Sequence, residues 1–163
     1  MMAAGLTGSY LHPIPNFEPL TLVMFCSGVL LGVRDGVVIG AMTMLVYSLL
    51  NPYGAVHPLV LLAQVVGEGV TGGAGGVFAS LRLPGRGIAV RAAALAVAGL
   101  LLTAGFDLIT NLATGIVFGQ MKATLIGGIP VSLFHIATNV AMFAAVGTPL
   151  VAVFARYRER LSS

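Results

Sequence analysis

Charged side chains are scarce in this sequence. Asp, Glu, Lys and Arg make up 8% of its 163 residues, whereas a water-soluble globular domain normally has about 25%. Hydrophobic residues reach 58%, and the mean hydropathy is +1.02. Because so little polar surface cannot cover a globule in water, the composition excludes a soluble domain. It predicts an integral membrane protein whose outer surface faces the lipid bilayer.

Several signatures of chemistry are also missing. The one cysteine, Cys26, excludes an internal disulfide, and its apolar neighbours predict a small buried side chain. The sequence has no HExxH pair, no Gly-x-Ser-x-Gly elbow, no metal-binding cluster and no nucleotide-binding motif. We therefore expect no enzyme activity, no metal and no other cofactor. The basic residues do not cover one face, so no nucleic-acid partner is expected either.

The hydrophobic runs predict about five transmembrane helices, since a bilayer core of about 30 Å needs about 20 apolar residues per helix. A tight turn at Arg34-Asp35-Gly36 is expected, because one helix through this run would place two charges near mid-membrane. The predicted spans are residues 19–33, 36–50, 58–81, 92–118 and 130–155, in one all-α domain that covers residues 1–163.

Proline and glycine mark the breaks between these spans. Turn residues at Asn51-Pro52-Tyr53-Gly54 and at Leu83-Pro84-Gly85-Arg86-Gly87 are predicted to end the second and third helices. Pro130 is expected in the first turn of the last helix, and Pro149 is expected to kink its end. The pairs Gly69-xxx-Gly73 and Gly72-xxx-Gly76 predict close packing of the third helix against its neighbours.

Positive charge predicts the orientation of the helices. Seven arginines lie at alternate connections and in the C-terminal tail, whereas the other connections carry only Lys122. By the positive-inside rule the arginine segments are cytoplasmic. The prediction is a multi-pass protein of the bacterial cell (inner) membrane with a cytoplasmic C-terminus, and with residues 1–18, 51–57 and 119–129 outside. The arginines are Arg34, Arg82, Arg86, Arg91, Arg156, Arg158 and Arg160.

Polar residues inside the predicted spans are the candidate site. Three helices each carry a pair at the i, i+4 spacing that puts both side chains on one face. Such amides can serve as interhelical hydrogen bonds, but an intramembrane carboxyl group is a functional candidate by default. We expect the pairs to meet in an outward-opening chamber with polar loop residues at its mouth. The candidate substrate-binding residues are Gln64, Glu68, Asp107, Asn111, His135 and Asn139, with Asn16, Glu18, Asn51 and Tyr53 from the loops.

Several of these motifs, in this order, resemble the substrate-binding subunits (S components) of energy-coupling factor (ECF) vitamin transporters. They are Ile14-Pro15-Asn16-Phe17-Glu18-Pro19, Arg34-Asp35-Gly36, Tyr47-Ser48-Leu49-Leu50-Asn51-Pro52-Tyr53-Gly54, Gln64, Phe106-Asp107-Leu108-Ile109-Thr110-Asn111 and Phe134-His135-xxx-Asn139.

This resemblance implies a compact membrane bundle that binds a vitamin-like small molecule near its outer face. It also implies docking on one transmembrane scaffold subunit and two cytoplasmic ATPase subunits, which deliver the molecule inward. S components usually have six helices. Residues 1–12 are too few to span a bilayer. Two explanations stay open: the start of the sequence is truncated or assigned too late, or a short N-terminal segment replaces the full first helix and the surface that couples to the scaffold differs.

Two other functions remain open from the sequence. A stand-alone proton-coupled or facilitative carrier would use Glu68 and Asp107 as protonation sites. An intramembrane enzyme would use His135 with a carboxylate. The mixture of acids, amides, histidine and aromatic residues suits a cobalamin fragment, a flavin, a pterin or a nucleobase-like solute.

Overall fold

The computed structural model describes residues 19–50 and 56–161. Helices account for 92% of these residues, and no β-strand occurs among them. The predicted all-α class is therefore confirmed. The α-helices are α1 (Leu20–Leu31), α2 (Val33–Leu49), α3 (Pro58–Ser80), α4 (Ile88–Phe118), α5 (Met121–Met142) and α6 (Thr148–Leu161), with a 3-10 turn at Leu83–Gly85 and a π turn at Phe143–Gly147.

Three helices are long and apolar enough to cross a membrane: Pro58–Ser80, Ile88–Phe118 and the continuous stretch Met121–Arg158. The first two helices are shorter, with 12 residues in α1 and 17 in α2. Both lengths are below the roughly 20 residues that a full crossing needs. Membrane-capable helices are thus present, and a crossing by all five predicted spans stays a prediction.

The break between α1 and α2 lies at Gly32 and not at the predicted turn Arg34-Asp35-Gly36. Gly32 has a φ of 101°, a left-handed value that glycine adopts without a steric penalty. Arg34 and Asp35 lie in the exposed first turn of α2. The predicted turn was wrong. Gly36 lies within α2, where its missing side chain allows close contact with Gly72 of α3.

The predicted outer loop 119–129 is also wrong. The chain turns at Gly119, with a φ of 64°, and α5 begins two residues later. A left-handed glycine directly after a helix is a common C-terminal cap. Pro130 consequently lies inside α5 and not in its first turn. Pro149 has no N–H to donate to the carbonyl of Ala145, which agrees with the irregular π turn before α6.

Glycine contacts hold α3 directly against α1 and α2. A β-carbon at Gly72 would overlap the carbonyl oxygen of Gly36, and one at Gly75 would overlap that of Phe25. The helix backbones therefore touch, as the Gly-xxx-Gly pairs predicted. Cys26 is 1% exposed and lies in the apolar core beside Phe25, as expected.

Seven of the eight basic residues lie at one end of the bundle, which we call the basic end. The end of α3 meets the start of α2, because a β-carbon at Gly76 would overlap the backbone of Val33. The Arg158 guanidinium donates to the carbonyl of Val29 (3.4 Å), which joins the end of α6 to the end of α1. Lys122, at the start of α5, lies at the opposite end. The predicted grouping of the arginines is therefore observed, while the membrane side that they face stays a prediction.

Candidate functional site

A row of polar side chains joins the antiparallel helices α4 and α5. Nδ1 of His135 lies 2.8 Å from Oδ1 of Asp107. One turn away, the Asn111 amide donates to the Ser132 hydroxyl (3.4 Å), and the Asn139 amide donates to the carbonyl of His135 (3.3 Å). We define the polar seam as Thr103, Asp107 and Asn111 on α4 with Ser132, His135 and Asn139 on α5.

The centre of the polar seam is buried. The side chains of His135 and Asp107 are 7% and 14% exposed, so their contact is an ion pair or a neutral hydrogen bond largely shielded from water. A carboxylate in such surroundings needs a partner, because an unpaired charge in a low-dielectric interior is strongly unfavourable. The imidazole supplies that partner on one oxygen.

Other oxygen atoms in the polar seam lack partners. Within residues 19–50 and 56–161, Oδ2 of Asp107, Oδ1 of Asn139 and Oγ1 of Thr103 are buried and accept or donate no hydrogen bond. Leaving one such group unpaired typically costs about 1–3 kcal/mol. Buried polar groups of this kind call for an explanation, and a bound ligand with matching donors is one of them.

A groove of about 200 Å³ opens beside the polar seam. Its volume is smaller than the roughly 300–1,000 Å³ of a typical small-molecule pocket, so it can hold a small ring or one end of a larger molecule. Its walls combine Asp107, Asn111 and Ser132 with the apolar side chains of Leu108, Ile129 and Ile136.

Gln64 and Glu68 make their contacts with α1 and α2. The Ser48 hydroxyl donates to Oε1 of Gln64 (3.1 Å), and the Thr21 hydroxyl donates to Oε1 of Glu68 (3.0 Å). Glu68 is 1% exposed. Each of these side chains therefore links α3 to a neighbouring helix in the glycine-packed part of the bundle.

Phe106 connects the two polar groups. Its ring meets His135 edge-on, with centroids 6.4 Å apart and an interplanar angle of 84°. The same ring covers Gly67, where a β-carbon would lie 2.6 Å from Cδ2 of Phe106, and Gly67 precedes Glu68. The structure thus brings the pairs Asp107–Asn111 and His135–Asn139 together directly, with Gln64–Glu68 beyond an aromatic ring.

A single chamber that includes all three pairs stays a prediction. The four predicted loop residues cannot be compared, because Asn16, Glu18, Asn51 and Tyr53 lie outside the described residues.

Thr103 and Ser132 belong to the polar seam but were not among the predicted site residues. Thr103 lies four residues before Asp107, so the i, i+4 series extends one turn further along α4. Ser132 lies three residues before His135, on the same face of α5. The i, i+3 and i, i+4 spacing could therefore have indicated both residues. Hydroxyl side chains in apolar helices usually bond to their own backbone, however, so they are weak indicators of a ligand site.

The described residues form an all-helical bundle with three membrane-capable helices and a buried histidine–carboxylate pair. No group of three His, Cys, Asp or Glu side chains suited to a metal ion occurs in the described part of the chain. Comparisons with protein families, curated proteins and solved structures found no match for this chain.

Proposed function

We propose that this chain is the substrate-capturing membrane subunit of an importer, of the kind that the resemblance to ECF S components implies. The observation that supports this best is the Asp107–His135 pair (2.8 Å): Asp107 lines a groove, and its Oδ2 has no partner among the described residues. An intramembrane carboxylate kept beside an open groove is typical of a ligand site.

The free oxygen atoms favour a ligand that donates hydrogen bonds. Oδ2 of Asp107 and Oδ1 of Asn139 are acceptors without protein donors in the described chain. Ring N–H and amide groups supply such donors, and flavins, pterins, nucleobases and the amides of cobalamin fragments all carry them. The apolar side of the groove, with Leu108 and Ile129, would contact the flat face of a ring.

Energy for uptake would come from partner subunits. The sequence contains no nucleotide-binding motif, so the proposal requires one transmembrane scaffold subunit and two cytoplasmic ATPase subunits. It also requires a multi-pass topology in the cell (inner) membrane with the basic end in the cytoplasm. Cysteines introduced at residues 56 and 57 should then react with an external impermeant maleimide, and cysteines beside Arg86 should not. The reverse labelling pattern would contradict this orientation.

Ligand capture can be tested on the purified chain in lipid nanodiscs. We expect denaturation of the purified sample to release a small heterocycle or amide rich in N–H groups, which mass spectrometry would identify. Equilibrium binding of riboflavin, a pterin, a nucleobase and cobinamide should identify the class, and ATPase subunits should copurify from the native membrane. If no member of the panel binds, no small molecule is released and no ATPase copurifies, the proposal is wrong.

A stand-alone proton-coupled carrier is the second candidate, because a buried histidine–carboxylate pair can exchange a proton with a transported solute. Liposomes that contain only this chain distinguish the two. Uptake driven by a pH gradient without any partner would favour the carrier. Binding without uptake, together with uptake once the ATPase subunits are added, would favour the importer subunit.

A further inference from the structure

A second and larger cavity lies at the basic end, far along α4 from the polar seam. Its volume is about 740 Å³. Three arginines, Arg82, Arg86 and Arg158, line it together with Pro84 and Ala155. A neighbouring cavity of about 310 Å³ shares Pro84 and Ala155 and adds Arg91 and Arg156. The two cavities together form one basic recess between the α3–α4 connection and α6.

Arg91 holds the walls of this recess in place. Its Nε donates to the carbonyl of Thr148 (3.0 Å), and its Nη1 donates to the carbonyls of Pro84 (2.9 Å) and Arg86 (3.1 Å). These bonds fasten the 3-10 turn and the start of α4 to the start of α6. Hydrogen bonds from Arg91 to three backbone carbonyls therefore fix the backbone that forms the recess.

The guanidinium groups of Arg82 and Arg86 have no such use. Neither group donates a hydrogen bond to any acceptor that the structure describes. Arg82 also has a φ of 56°, the one left-handed value at a residue other than glycine within 19–50 and 56–161. This conformation is unfavourable for a side chain with a β-carbon and tends to occur at functional positions.

Charge at the basic end is unbalanced. Seven arginines lie there, and Asp35 is the one acidic residue of that end whose side chain the structure describes. Exposed apolar residues lie next to the lining residues along the chain: Leu81 is 61% exposed, Ile88 71% and Tyr157 55%. Basic pockets between membrane helices with apolar or aromatic neighbours are suited to anionic lipid headgroups.

We propose that this recess binds the phosphate headgroup of an anionic phospholipid. Arg82 and Arg86 contact the phosphate oxygens, and the acyl chains run along the apolar surface formed by Leu81 and Ile88. A free phosphate ion would gain nothing from those apolar neighbours, and an acidic protein surface would not fill a recess between helices. The charge and the apolar rim together therefore favour a lipid.

Native mass spectrometry of the full chain, released from detergent, tests this inference. Phosphatidylglycerol and phosphatidylcholine serve as probes because they share acyl chains and a phosphate but differ in net charge. We expect the wild type to retain phosphatidylglycerol at least about 10-fold more tightly, and to lose this preference as salt increases. The double variant Arg82→Gln/Arg86→Gln should lose most of the preference. Lys122→Gln, which removes one charge at the opposite end, should keep it.

Three results would overturn the inference. The first is equal retention of both lipids by the wild type, a measurement that requires no variant and no refolding. The second is stabilisation by millimolar inorganic phosphate equal to that by phosphatidylglycerol, which would point to a soluble anion. The third is displacement of the lipid by a synthetic poly-Glu peptide at lower concentration, which would point to an acidic protein partner. Circular dichroism of the double variant verifies that its helices are intact.

Discussion

Two regions of this bundle use polar groups in opposite ways. In the glycine-packed region (α1, α2 and α3), backbones touch and the buried carboxyl group of Glu68 accepts a hydrogen bond from Thr21. In the hairpin of α4 and α5, Asp107 contacts His135 and lines a groove. The first region is enclosed, and the second borders an open groove.

Exposure follows the same division. Within the apolar span of each helix, 44% of the residues of α3 are buried, against 17% of those of α4. Close backbone packing therefore encloses the polar groups of the first region, whereas the less covered hairpin leaves Asp107 beside a groove.

The largest effect should come from a single methyl group in the glycine-packed region. Gly72→Ala would place a β-carbon against the backbone carbonyl of Gly36, which no side-chain rotation can relieve. We expect a loss of about 3 kcal/mol or more, at the upper end of overpacking effects, measured by reversible unfolding in detergent. Gly105→Ala is the matched control, because no atom lies within 4 Å of its β-carbon position. It should change stability by less than about 1 kcal/mol. Equal losses in both variants would show that the close backbone contact at Gly72 has no special role in stability.

The polar seam should affect binding more than stability. Asp107→Asn and His135→Ala each remove one member of the 2.8 Å contact, and each should weaken ligand binding by about 1–3 kcal/mol, or roughly 5- to 150-fold in affinity. Calorimetry with the ligand identified by mass spectrometry measures this. Asp35→Asn, an exposed carboxylate at the basic end, should leave affinity unchanged. If the first two variants lose thermal stability while their folded fraction binds normally, the polar seam is structural.

Glu68 should behave in the opposite manner. Glu68→Ala removes the acceptor of the Thr21 hydroxyl and leaves a cavity, so we expect a loss of about 1–3 kcal/mol in unfolding free energy. Glu68→Gln keeps an acceptor of similar shape and should restore most of it. Ligand affinity should change less than about 3-fold in the glutamine variant. A larger loss of affinity there would bring Glu68 into the binding site, as the sequence predicted.

The smallest effect concerns Thr103. Its buried hydroxyl has no partner among the described residues, so Thr103→Val, which keeps the shape, should be neutral or stabilise the fold by up to about 1 kcal/mol. Thermal unfolding without ligand measures this. Thr43→Val is the matched control and should be destabilised, because the buried Thr43 hydroxyl donates to the carbonyl of Ile39 (2.7 Å). A destabilised Thr103 variant would show that the hydroxyl is satisfied and contributes to packing.

The candidate site was only partly predictable. Spacing alone placed Asp107 with Asn111, and His135 with Asn139, on common helix faces. The polar pairs were expected to meet in one chamber, and the structure joins two of them directly through Asp107 and His135. The turn at Gly119 sets the true register and brings Asp107 to His135.

The composition was enough to predict a helical chain with membrane-capable spans, because too few polar residues exist to cover a globule in water, and helices satisfy their backbone groups without water. The glycine spacing also predicted that α3 packs closely, because residues without a side chain let neighbouring helix backbones approach. The contacts of Glu68 with Thr21 and of Asp107 with His135 could be seen in the tertiary structure alone. That pairing depends on helix register, which left-handed glycines at Gly32 and Gly119 set at the turns, and no local spacing along the chain encodes it.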